Sequence, residues 1–481
     1  MSSEGDRGGE GGGGWDRPSP LPRGLAYFDE GGFEEEIARR VTYRTESQRS
    51  DSGPDLHSYL DEEMIPAFEA MGFECSKYEN PFPDSGPFLL AARMEEDGLP
   101  IVLGYGHGDV IRGLDDQWTK GAGPWQTARD GDRMYGRGTA DNKGQHTLNM
   151  AATRAVLEER GRLGFNAKFL IEMGEENGSK GLREVVTEHL DDFASDVFIA
   201  SDGPRVEPDR PTMSLGARGA ANFDLVCDFR AGGHHSGNWG GLLADPGIVL
   251  AHALATIVGP TGEIQIKDWL PPPMSNSVRD VLKDVEITGG EGAPEIDPDW
   301  GQPGLTAAEK VYAWNSFAVL AFKSGIPESP VNAISPRARA HCQVRYVSET
   351  NADRIEPALR EHLDDHGFDM VAIEPPPPSN AGGFTASRTD LDDPWAVWVR
   401  LAIERNTGKT PAIIPHTGGS ICNDIFTDLI GIPSIWIPHS YTGCSQHAPD
   451  EHILMPGYRS AMELMTGLYW DLGEGGTPGR A

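Results

Sequence analysis

The sequence predicts a mixed α/β protein in which an α/β domain is split by an inserted α+β domain. Short apolar runs alternate with helical patterns before residue 211 and again after residue 380, which is typical of a mainly parallel sheet covered by helices. The stretch between them reads as strand, helix, two strands, helix and strand, which is typical of a ferredoxin-like sandwich. The length of 481 residues allows two or three folded units.

The expected organisation has four segments. Residues 1–22 are rich in Gly, Ser and charge, and we expect a flexible tail there. Residues 23–211 form the first part of the α/β domain, residues 212–380 the inserted domain, and residues 381–481 the second part of the α/β domain. The Pro375–Pro378 run and the Ser, Asn and Gly residues behind it predict the linker that ends the insertion.

Each element of the α/β domain has its own pattern. Continuous apolar runs of strand length predict buried strands at Phe88–Ala92, Ile101–Tyr105, Lys168–Met173, Val197–Ala200 and Ser434–Pro438. Apolar residues at three-to-four-residue spacing predict helices at Phe33–Tyr43, Leu56–Met71, Gly144–Arg160, Gly181–Leu190 and Trp395–Glu404. In the insertion, the same criteria predict Ala220–Phe229, Ile248–Ile257, Ser316–Phe322, Arg337–Val347, Ala352–Leu363 and Met370–Ile373.

Composition excludes several function classes. The chain has 41 Lys and Arg against 74 Asp and Glu, a formal charge of −33, and such a surface repels nucleic acid and anionic lipid. No apolar run approaches the length of a membrane helix and the N-terminus lacks the pattern of a secretory signal, so we expect a cytoplasmic protein. Five cysteines without a CxxC pair favour reduced thiols, so any metal is held by nitrogen and oxygen.

Polar side chains follow the predicted strands where ligands bind in open α/β sheets, beyond the carboxyl ends. A glycine-rich loop before a helix carries a further carboxylate, Asp141. The residues at strand ends are His107 and Asp109, Glu175 and Glu176, Asp202, and, in the loop after the last strand, His439, His447 and Glu451.

These residue types indicate a metal site. A lone His or Asp after a strand is more often a loop hydrogen bonder or helix cap, and adjacent carboxylates usually face solvent. Several of them gathered at one sheet edge repel each other unless a cation is present. Two histidines and three carboxylates suffice for two Zn²⁺-like ions with one carboxylate bridging them, roughly 3.5–4 Å apart. Of Glu175 and Glu176, one can ligate while the other faces the attacking water as general base.

The motifs GHGDV, RGTADNKG, EMGEENGS, SDGPR, GGHHSGNWGG, TGGSI and QHAPDEH resemble, in order, those of the carnosinase, aminoacylase and glutamate-carboxypeptidase family of co-catalytic zinc peptidases. The resemblance runs from about residue 33 to 470. It implies a three-layer catalytic domain of the phosphorylase/hydrolase type with an inserted ferredoxin-like domain that serves as lid and dimerisation surface. The implied partners are a small peptide or N-acyl amino acid substrate and a second copy of the chain.

The resemblance also implies the role of each site residue. His107 and Asp202 bind one metal, Glu176 and His447 bind the other, and Asp141 bridges the two. The further implied roles are Glu175 as general base, Asp109 as the residue that orients His107, and a cis peptide bond between Asp141 and Asn142.

Four residues of the insertion and the following loop match family positions that contact the substrate or the oxyanion. His235 matches the lid histidine, which in relatives often reaches in from the partner subunit, and Asn332, Arg345 and Ser420 match substrate contacts. Arg345 is suited to grip a carboxylate with its two-pronged guanidinium. The alternatives are structural: HSGNWGG as a tight turn before a helix, and Arg345 as a strand-surface ion pair.

The implied reaction is hydrolysis of an amide or peptide bond by water activated by two divalent metals, with Glu175 moving the proton. Zn²⁺ is the expected metal, with Mn²⁺ or Co²⁺ as alternatives. Asp rather than Glu at position 202 resembles the dipeptidase and aminopeptidase-like branch of the family more than its deacylases, so the resemblance implies a dipeptidase. An N-acyl amino acid deacylase, a specialised small-molecule amidohydrolase and a non-catalytic ligand-binding relative are the alternatives.

Overall fold

The computed structural model describes residues 20–287, 294–377 and 384–479. Its largest sheet has eight strands, in the order Glu74–Tyr78, Phe88–Arg93, Asn166–Glu172, Ile101–His107, Val197–Ala200, Ser434–Trp436, Thr212–Ser214 and Ala412–Ile414. At one edge of the sheet, the first two pairings of neighbouring strands are antiparallel. The next three pairings, in the centre, are parallel. One antiparallel contact, between Trp436 and Ser214, lies near the other edge. The predicted buried strands are therefore confirmed, in a mixed sheet.

Helices cover both faces of this sheet, because alternate residues of its strands are apolar on both sides. One face packs against the long helices and the other against the shorter ones, so that two separate apolar cores result. The helices before the insertion are Leu21–Asp29, Gly32–Val41, Gly53–Ser58, the π-helical turn Tyr59–Met64, Ile65–Ala70, Lys143–Arg160, Leu182–Glu188 and Leu190–Phe193. Those after it are Pro394–Thr407, the π-helical turn Ile425–Ile430 and Met455–Glu474.

The stretch between residues 215 and 386 forms a second, four-stranded antiparallel sheet. Its strands lie in the order Ser316–Ser324, Arg337–Tyr346, Gly219–Asp228 and Ala372–Glu374, which is the strand order of a ferredoxin-like sandwich. Helices Pro246–Ile257 and Ile355–Asp365 pack on one face around Trp269. Three shorter helices complete this stretch, at Ser236–Trp239, Asn276–Leu282 and Ala307–Tyr312.

Side chains along the strand Arg337–Tyr346 point alternately to the two faces of the second sheet, and this alternation determines which of them face the first sheet. Ala338, Cys342 and Val344 are buried in the core of the second sheet, while Gln343 and Arg345 point to the opposite face. That face closes over the carboxyl edge of the first sheet, so both sheets line one cavity. The insertion therefore supplies side chains to a site that is built mainly on the first sheet.

Short β-strands in the connecting segments pair with one another outside the two main sheets. The pairs are Arg133–Tyr135 with Ala128–Asp130 and His452–Leu454, Pro204–Arg205 with Ser440–Tyr441, Gly216–Ala217 with Ser387–Arg388, and His234–His235 with Ala333–Ile334. Short 3₁₀ turns lie at Asp115–Gln117, Glu175–Asn177, Lys267–Trp269 and Ala352–Arg354.

The expected boundaries need two local corrections. Helix Leu21–Asp29 begins inside the segment 1–22 expected to be a tail, because Leu21 and Phe28 lie on an apolar face that packs on the C-terminal helix; residues 1–19 lie outside the described part. Strand Thr212–Ser214 belongs to the first sheet, so that sheet continues past residue 211. The division into domains otherwise stays a prediction, and residues 378–383 around its second boundary are outside the described ranges.

All five cysteines are free thiols. Among the described residues, no helix combines the length and apolarity that crossing a membrane requires.

Candidate metal centre

The five residues expected to bind metal meet at the carboxyl edge of the first sheet. His107 ends its strand, and Asp202 comes two residues after the neighbouring parallel strand. Glu176 lies in the 3₁₀ turn that follows the strand on the other side of His107. Asp141 precedes helix Lys143–Arg160, while His447 comes from the loop after Ser440–Tyr441. Parallel strands side by side bring these loops together, as the sequence predicted.

One cluster consists of His107, Asp141 and Asp202. The Nε2 atom of His107 lies 2.9 Å from Asp141 Oδ1 and 3.7 Å from Asp202 Oδ2. One ligand atom from each of the three residues lies within 4.8 Å of the others. All three side chains are buried. This donor set of one imidazole and two carboxylates suits a divalent cation such as Zn²⁺.

A second cluster consists of Asp141, Glu176 and His447. The Nε2 atom of His447 lies 3.0 Å from Asp141 Oδ2 and 3.1 Å from Glu176 Oε2. The two oxygens of Asp141 therefore face two different histidines. That arrangement is what a carboxylate bridging two cations requires. The peptide bond between Asp141 and Asn142 is cis, which confirms the prediction for it.

The electrostatics of the clusters show the cost of leaving them without a cation. Burial and the neighbouring Asp141 raise the pKa of Glu176 to about 7 and that of Asp202 to about 6. Hydrogen bonds to Asp141 and Glu176 raise the pKa of His447 to about 11. For His107, burial opposes the charged form, but the contacts with Asp109 and Asp141 raise its pKa well above the usual range. The raised pKa values mean that the clustered carboxylates and imidazoles favour their protonated forms when no metal cation balances the charge. The donor atoms of the two clusters fit two divalent cations.

Glu175 lies beside the clusters and belongs to neither. It lines the cavity above them, and burial followed by the charges of Asp202, Glu176 and Asp141 raises its pKa well above the usual value. A buried carboxyl with a raised pKa is suited to proton transfer.

Asp109 has a wider role than the sequence indicated. Its Oδ1 atom lies 3.4 Å from His107 Nδ1, consistent with orienting that ring, and its backbone carbonyl lies 3.0 Å from the same nitrogen. The same carboxylate accepts the backbone N–H groups of Glu175 and Glu176, both at 3.1 Å, and the Ser47 hydroxyl at 2.6 Å. Asp109 therefore fixes His107 and the turn that bears both glutamates.

Glu451 organises the loop that carries Asp141. Its carboxylate accepts the backbone N–H groups of Gly138, Ala140 and Asp141 at 2.9–3.1 Å and pairs with the buried Arg137 at 2.7 Å. Sequence reasoning placed Glu451 near the site but gave it no role, since only the folded loops bring it to these N–H groups. The QHAPDEH motif was the available signal.

Gln446 and Ser47 were not predicted as site residues. Gln446 donates to Asp141 Oδ2 at 2.5 Å, and Ser47 supports Asp109. The position of Gln446 next to His447 was a signal for it, whereas nothing in the sequence distinguishes Ser47 from other loop serines.

A cavity of about 790 Å³ opens above the clusters. Arg345 and Ser420 both line it, and Arg345 Nη1 donates to Ser420 Oγ at 2.6 Å. Arg345 Nε donates to Gln343 at 2.9 Å, and among the described residues no carboxylate pairs with this guanidinium. The structure therefore gives Arg345 no ion pair within the described ranges, and its role in substrate binding stays a prediction.

His235 and Asn332 are not brought to this cavity. His235 is exposed on the short strand His234–His235, where its Nδ1 accepts the N–H of Gly237 at 3.1 Å. Asn332 is exposed beside it, and its carbonyl accepts the N–H of Ser236 at 2.9 Å. Neither lines the cavity, so within one chain the expected contacts of His235 and Asn332 with the substrate are not formed. The insertion holds them on its outer surface.

The fold and the paired clusters define the class of protein, a metal-dependent hydrolase. Residues 103–471 match the model of peptidase family M20/M25/M40, and the chain belongs to this family.

Curated relatives align over most of their length. The chain is 25% identical over 379 residues to a cysteinylglycine-S-conjugate dipeptidase of Corynebacterium striatum, covering 76% of this chain and 79% of the relative. It is 23% identical over 398 residues to the Beta-Ala-His dipeptidase of Homo sapiens, covering 81% and 78%. It is 25% identical over 404 residues to the Cys-Gly metallodipeptidase DUG1 of Saccharomyces cerevisiae, covering 79% and 80%.

Solved structures share the fold. The chain matches the dipeptidase Dug1p of Saccharomyces cerevisiae with a TM-score of 0.76 at 18% identity, and human carnosine dipeptidase 1 with 0.76 at 21%. Both matches cover 95% of this chain and 99% of the other. The expected α/β fold is therefore confirmed as that of M20 peptidase structures.

We expect the contribution of Glu176 to the stability of the metal-free protein to fall as pH rises from 5 to 8. A carboxyl whose pKa rises on folding binds more protons when folded, so its contribution to the free energy of unfolding falls between its ordinary value of 4.5 and the folded value, about 7 for Glu176. The raised pKa of His447 has the same sign, because its contribution is complete below 6.5 and declines toward about 11. Buried histidines such as His416, whose pKa burial lowers to about 4, act in the opposite direction, so the effect is measured against Glu176→Gln, which retains them. From pH 5 to 8, the chelated wild type should lose of order 1–3 kcal/mol more than the chelated variant in thermal melts.

Added Zn²⁺ should reverse that trend, since cation binding displaces the protons. The increase in melting temperature with metal should be larger at pH 8 than at pH 5. An equal increase at both pH values would contradict proton displacement at these clusters.

Glu451→Gln should weaken metal binding and stability together. The amide removes the counter-charge of buried Arg137 and disturbs the loop of Asp141, so we expect metal affinity to fall ~10–100-fold. The free energy of unfolding should fall by about 3–5 kcal/mol. Competition with a chelator and urea unfolding measure the two effects, with the exposed Glu188→Gln as the matched control. Unchanged metal affinity would show that Asp141 is held without Glu451.

Proposed function

We propose that this metal-dependent peptide-bond hydrolase is a dipeptidase that uses two divalent cations. The observation that carries the proposal is Asp141, whose two oxygens lie 2.9 and 3.0 Å from His107 and His447 beneath a cavity of about 790 Å³. The dipeptidases named among the relatives support the substrate class. An unpaired guanidinium in the same cavity, that of Arg345, is suited to a free C-terminal carboxylate.

His107, Asp141 and Asp202 would hold one cation, and Asp141, Glu176 and His447 the other. Bound cations would supply Lewis-acid polarisation of the scissile carbonyl and a water of lowered pKa. A set of imidazole and carboxylate donors without thiolate suits Zn²⁺ and also accepts Mn²⁺ or Co²⁺. We propose Zn²⁺ as the native ion, which metal analysis of the purified protein tests.

Glu175 moves the proton in this proposal. The Glu175 carboxylate would take a proton from the attacking water and return it to the leaving amine, and burial raises its pKa in the direction that favours proton uptake. Asp109 holds the backbone of Glu175 at 3.1 Å, which fixes the base relative to His107. One carboxylate thus serves as base and then as acid.

Arg345 binds the C-terminal carboxylate of the substrate in this proposal. Gln343 and Ser420 hold two of its N–H groups at 2.9 and 2.6 Å, so the guanidinium is oriented before a substrate arrives. A side chain that is already ordered loses less entropy when a ligand binds. The ordered guanidinium therefore helps to bind a small substrate, which makes few other contacts.

Glu175→Gln should retain both cations and lose turnover. Loss of the proton carrier should lower kcat by ~10²–10⁴-fold on a dipeptide, because the amide cannot accept a proton. Metal content and kcat measured on the same sample check this, with exposed Glu184→Gln as the matched control. A wild-type rate in Glu175→Gln would show that another group moves the proton.

The substrate class is tested with three compounds of one side-chain sequence: a free dipeptide, its C-terminal amide and the corresponding N-acetyl amino acid. A dipeptidase should cleave the free dipeptide with the highest kcat/KM and show a raised KM for the amide, which lacks a charged partner for Arg345. Preference for the N-acetyl compound would overturn the dipeptidase proposal in favour of a deacylase.

We further propose that the chain acts as a homodimer through its inserted domain. Strand Ser316–Ser324 lies at an edge of the second sheet and exposes Val319, Leu320 and Phe322 by 41–50%. An exposed apolar edge strand is a surface suited to pairing with a second copy. His235 and Asn332, exposed away from their own cavity, would then be available to the cavity of the partner.

Mixing two inactive variants tests the shared site. His235→Ala and Glu175→Gln chains should each be nearly inactive alone, and a reassorted mixture should recover roughly a quarter of the wild-type rate, because half of the dimers then hold one complete site. Light scattering of the samples measures the dimer. Recovery of no activity from a mixture shown to contain heterodimers would contradict a contribution of His235 from the partner.

A further inference from the structure

A second cavity, here called the insert cavity, lies next to the catalytic one. It has a volume of about 590 Å³ and is lined by Arg218 and by residues within 262–287 and 296–317. Val311 contributes to the walls of both cavities, whereas Arg218 and Trp314 line only the insert cavity. This volume is that of an ordinary small-molecule site.

The walls of the insert cavity are mainly apolar and aromatic. Ile264, Trp314 and Phe317 line it, and Trp300 stands on it with 57% of its surface exposed. Ile296, on the same wall, is 50% exposed. Large apolar side chains facing water around a concavity indicate a surface that a ligand can cover.

Arg218 gives the insert cavity a buried cation. Its side chain is only 8% exposed, and it donates to the carbonyls of Gly418 at 2.6 Å and Trp314 at 3.5 Å and to the Ser316 hydroxyl at 3.4 Å. Across residues 20–287, 294–377 and 384–479, no carboxylate lies within 4.0 Å of this guanidinium. A buried cation without a counter-charge is costly, and an anionic ligand would supply that charge.

A second basic residue adds to the positive charge of Arg218 in the lining of the insert cavity. Lys310 also lines the insert cavity and donates to the carbonyl of Trp300 at 2.6 Å, and no ion pair joins it to a carboxylate of the described residues. Among the lining residues that the structure describes, Asp297 is the one acidic residue. This described lining thus has two basic residues and one acidic residue, in a chain with 41 basic and 74 acidic residues.

We propose that the insert cavity is a second binding site for a small carboxylate with an aromatic or branched apolar body. The carboxylate would pair with Arg218, replacing weak contacts of its guanidinium with Trp314 and Ser316 by charge-assisted hydrogen bonds. The apolar body would cover Trp300 and Phe317. This site is separate from peptide cleavage and does not depend on the proposed dipeptidase activity.

The site also has a physical connection to the catalytic cavity. Gly418, which accepts from Arg218, lines the catalytic cavity, and the Ser420 hydroxyl that accepts from Arg345 donates to the Arg218 carbonyl at 2.6 Å. A ligand bound to Arg218 would therefore contact the residue whose carbonyl accepts the Ser420 hydroxyl, and Ser420 in turn accepts a hydrogen bond from Arg345.

The test uses 4-(trifluoromethyl)phenylacetate as probe, detected by ¹⁹F NMR on the metal-loaded full chain. The neutral amide of the same acid and simple acetate are the matched ligands, and each should bind at least ~10-fold more weakly, since one lacks the charge and the other the apolar body. Arg218→Gln should weaken the probe ~10-fold. Trp300→Ser, at an exposed position, should weaken it at least ~3-fold, and a thermal melt checks that the variant is folded.

Two controls separate the insert cavity from the catalytic one. Exposed Trp239→Ser, outside the insert cavity, should leave probe affinity unchanged. A saturating dipeptide on Glu175→Gln enzyme should not displace the probe. Equal affinity for the acid and its amide, unchanged affinity in Trp300→Ser, displacement by the dipeptide, or no detectable binding of the probe would each overturn the proposal.

Discussion

The shared carboxylate of Asp141 is the constraint on which the rest of the site depends. Its two oxygens serve two histidines, so a small rotation of this side chain would spoil both clusters. The surrounding contacts restrict that rotation: Glu451 binds the backbone N–H of Asp141, and Gln446 donates to its Oδ2. Asp109 does the same for the turn of Glu175 and Glu176. Acidic residues thus serve twice here, as donors to cations and as supports for those donors.

Much of this site could be predicted because its placement follows from topology. Ligand residues follow parallel strands, and parallel neighbours bring their carboxyl ends to one edge. His107 and Glu176 follow strands that pair directly, and the strand before Asp202 pairs on the other side. Apolar runs identified these strands without knowledge of their order. Arg345 was predicted only from its match to a family position, and the structure shows that alternation along the inserted strand puts it on the face that covers the first sheet.

Other contacts were beyond sequence reasoning for a physical reason. Glu451 reaches N–H groups more than 300 residues earlier in the chain, and Ser47 reaches Asp109 across 62 residues. Such loop contacts leave no periodicity in either segment. His235 and Asn332 show a different limit, since the resemblance implied contacts with substrate or oxyanion for them, whereas the chain holds both on its surface outside the cavity. The start of the first helix at Leu21 was missed because its apolar face adjoins a run of glycines and charges.

The acidity of the chain explains why its unpaired cations are informative. A formal charge of −33 repels anions at long range, but at physiological salt the repulsion is screened beyond about 8 Å. Recognition of a carboxylate must therefore come from cations within contact distance. Arg345 and Arg218 are two such cations, each held by neutral oxygen acceptors and joined through Ser420. In a protein with abundant carboxylates, a guanidinium that pairs with none of its neighbours retains its charge for a ligand, and each of these two faces a different cavity.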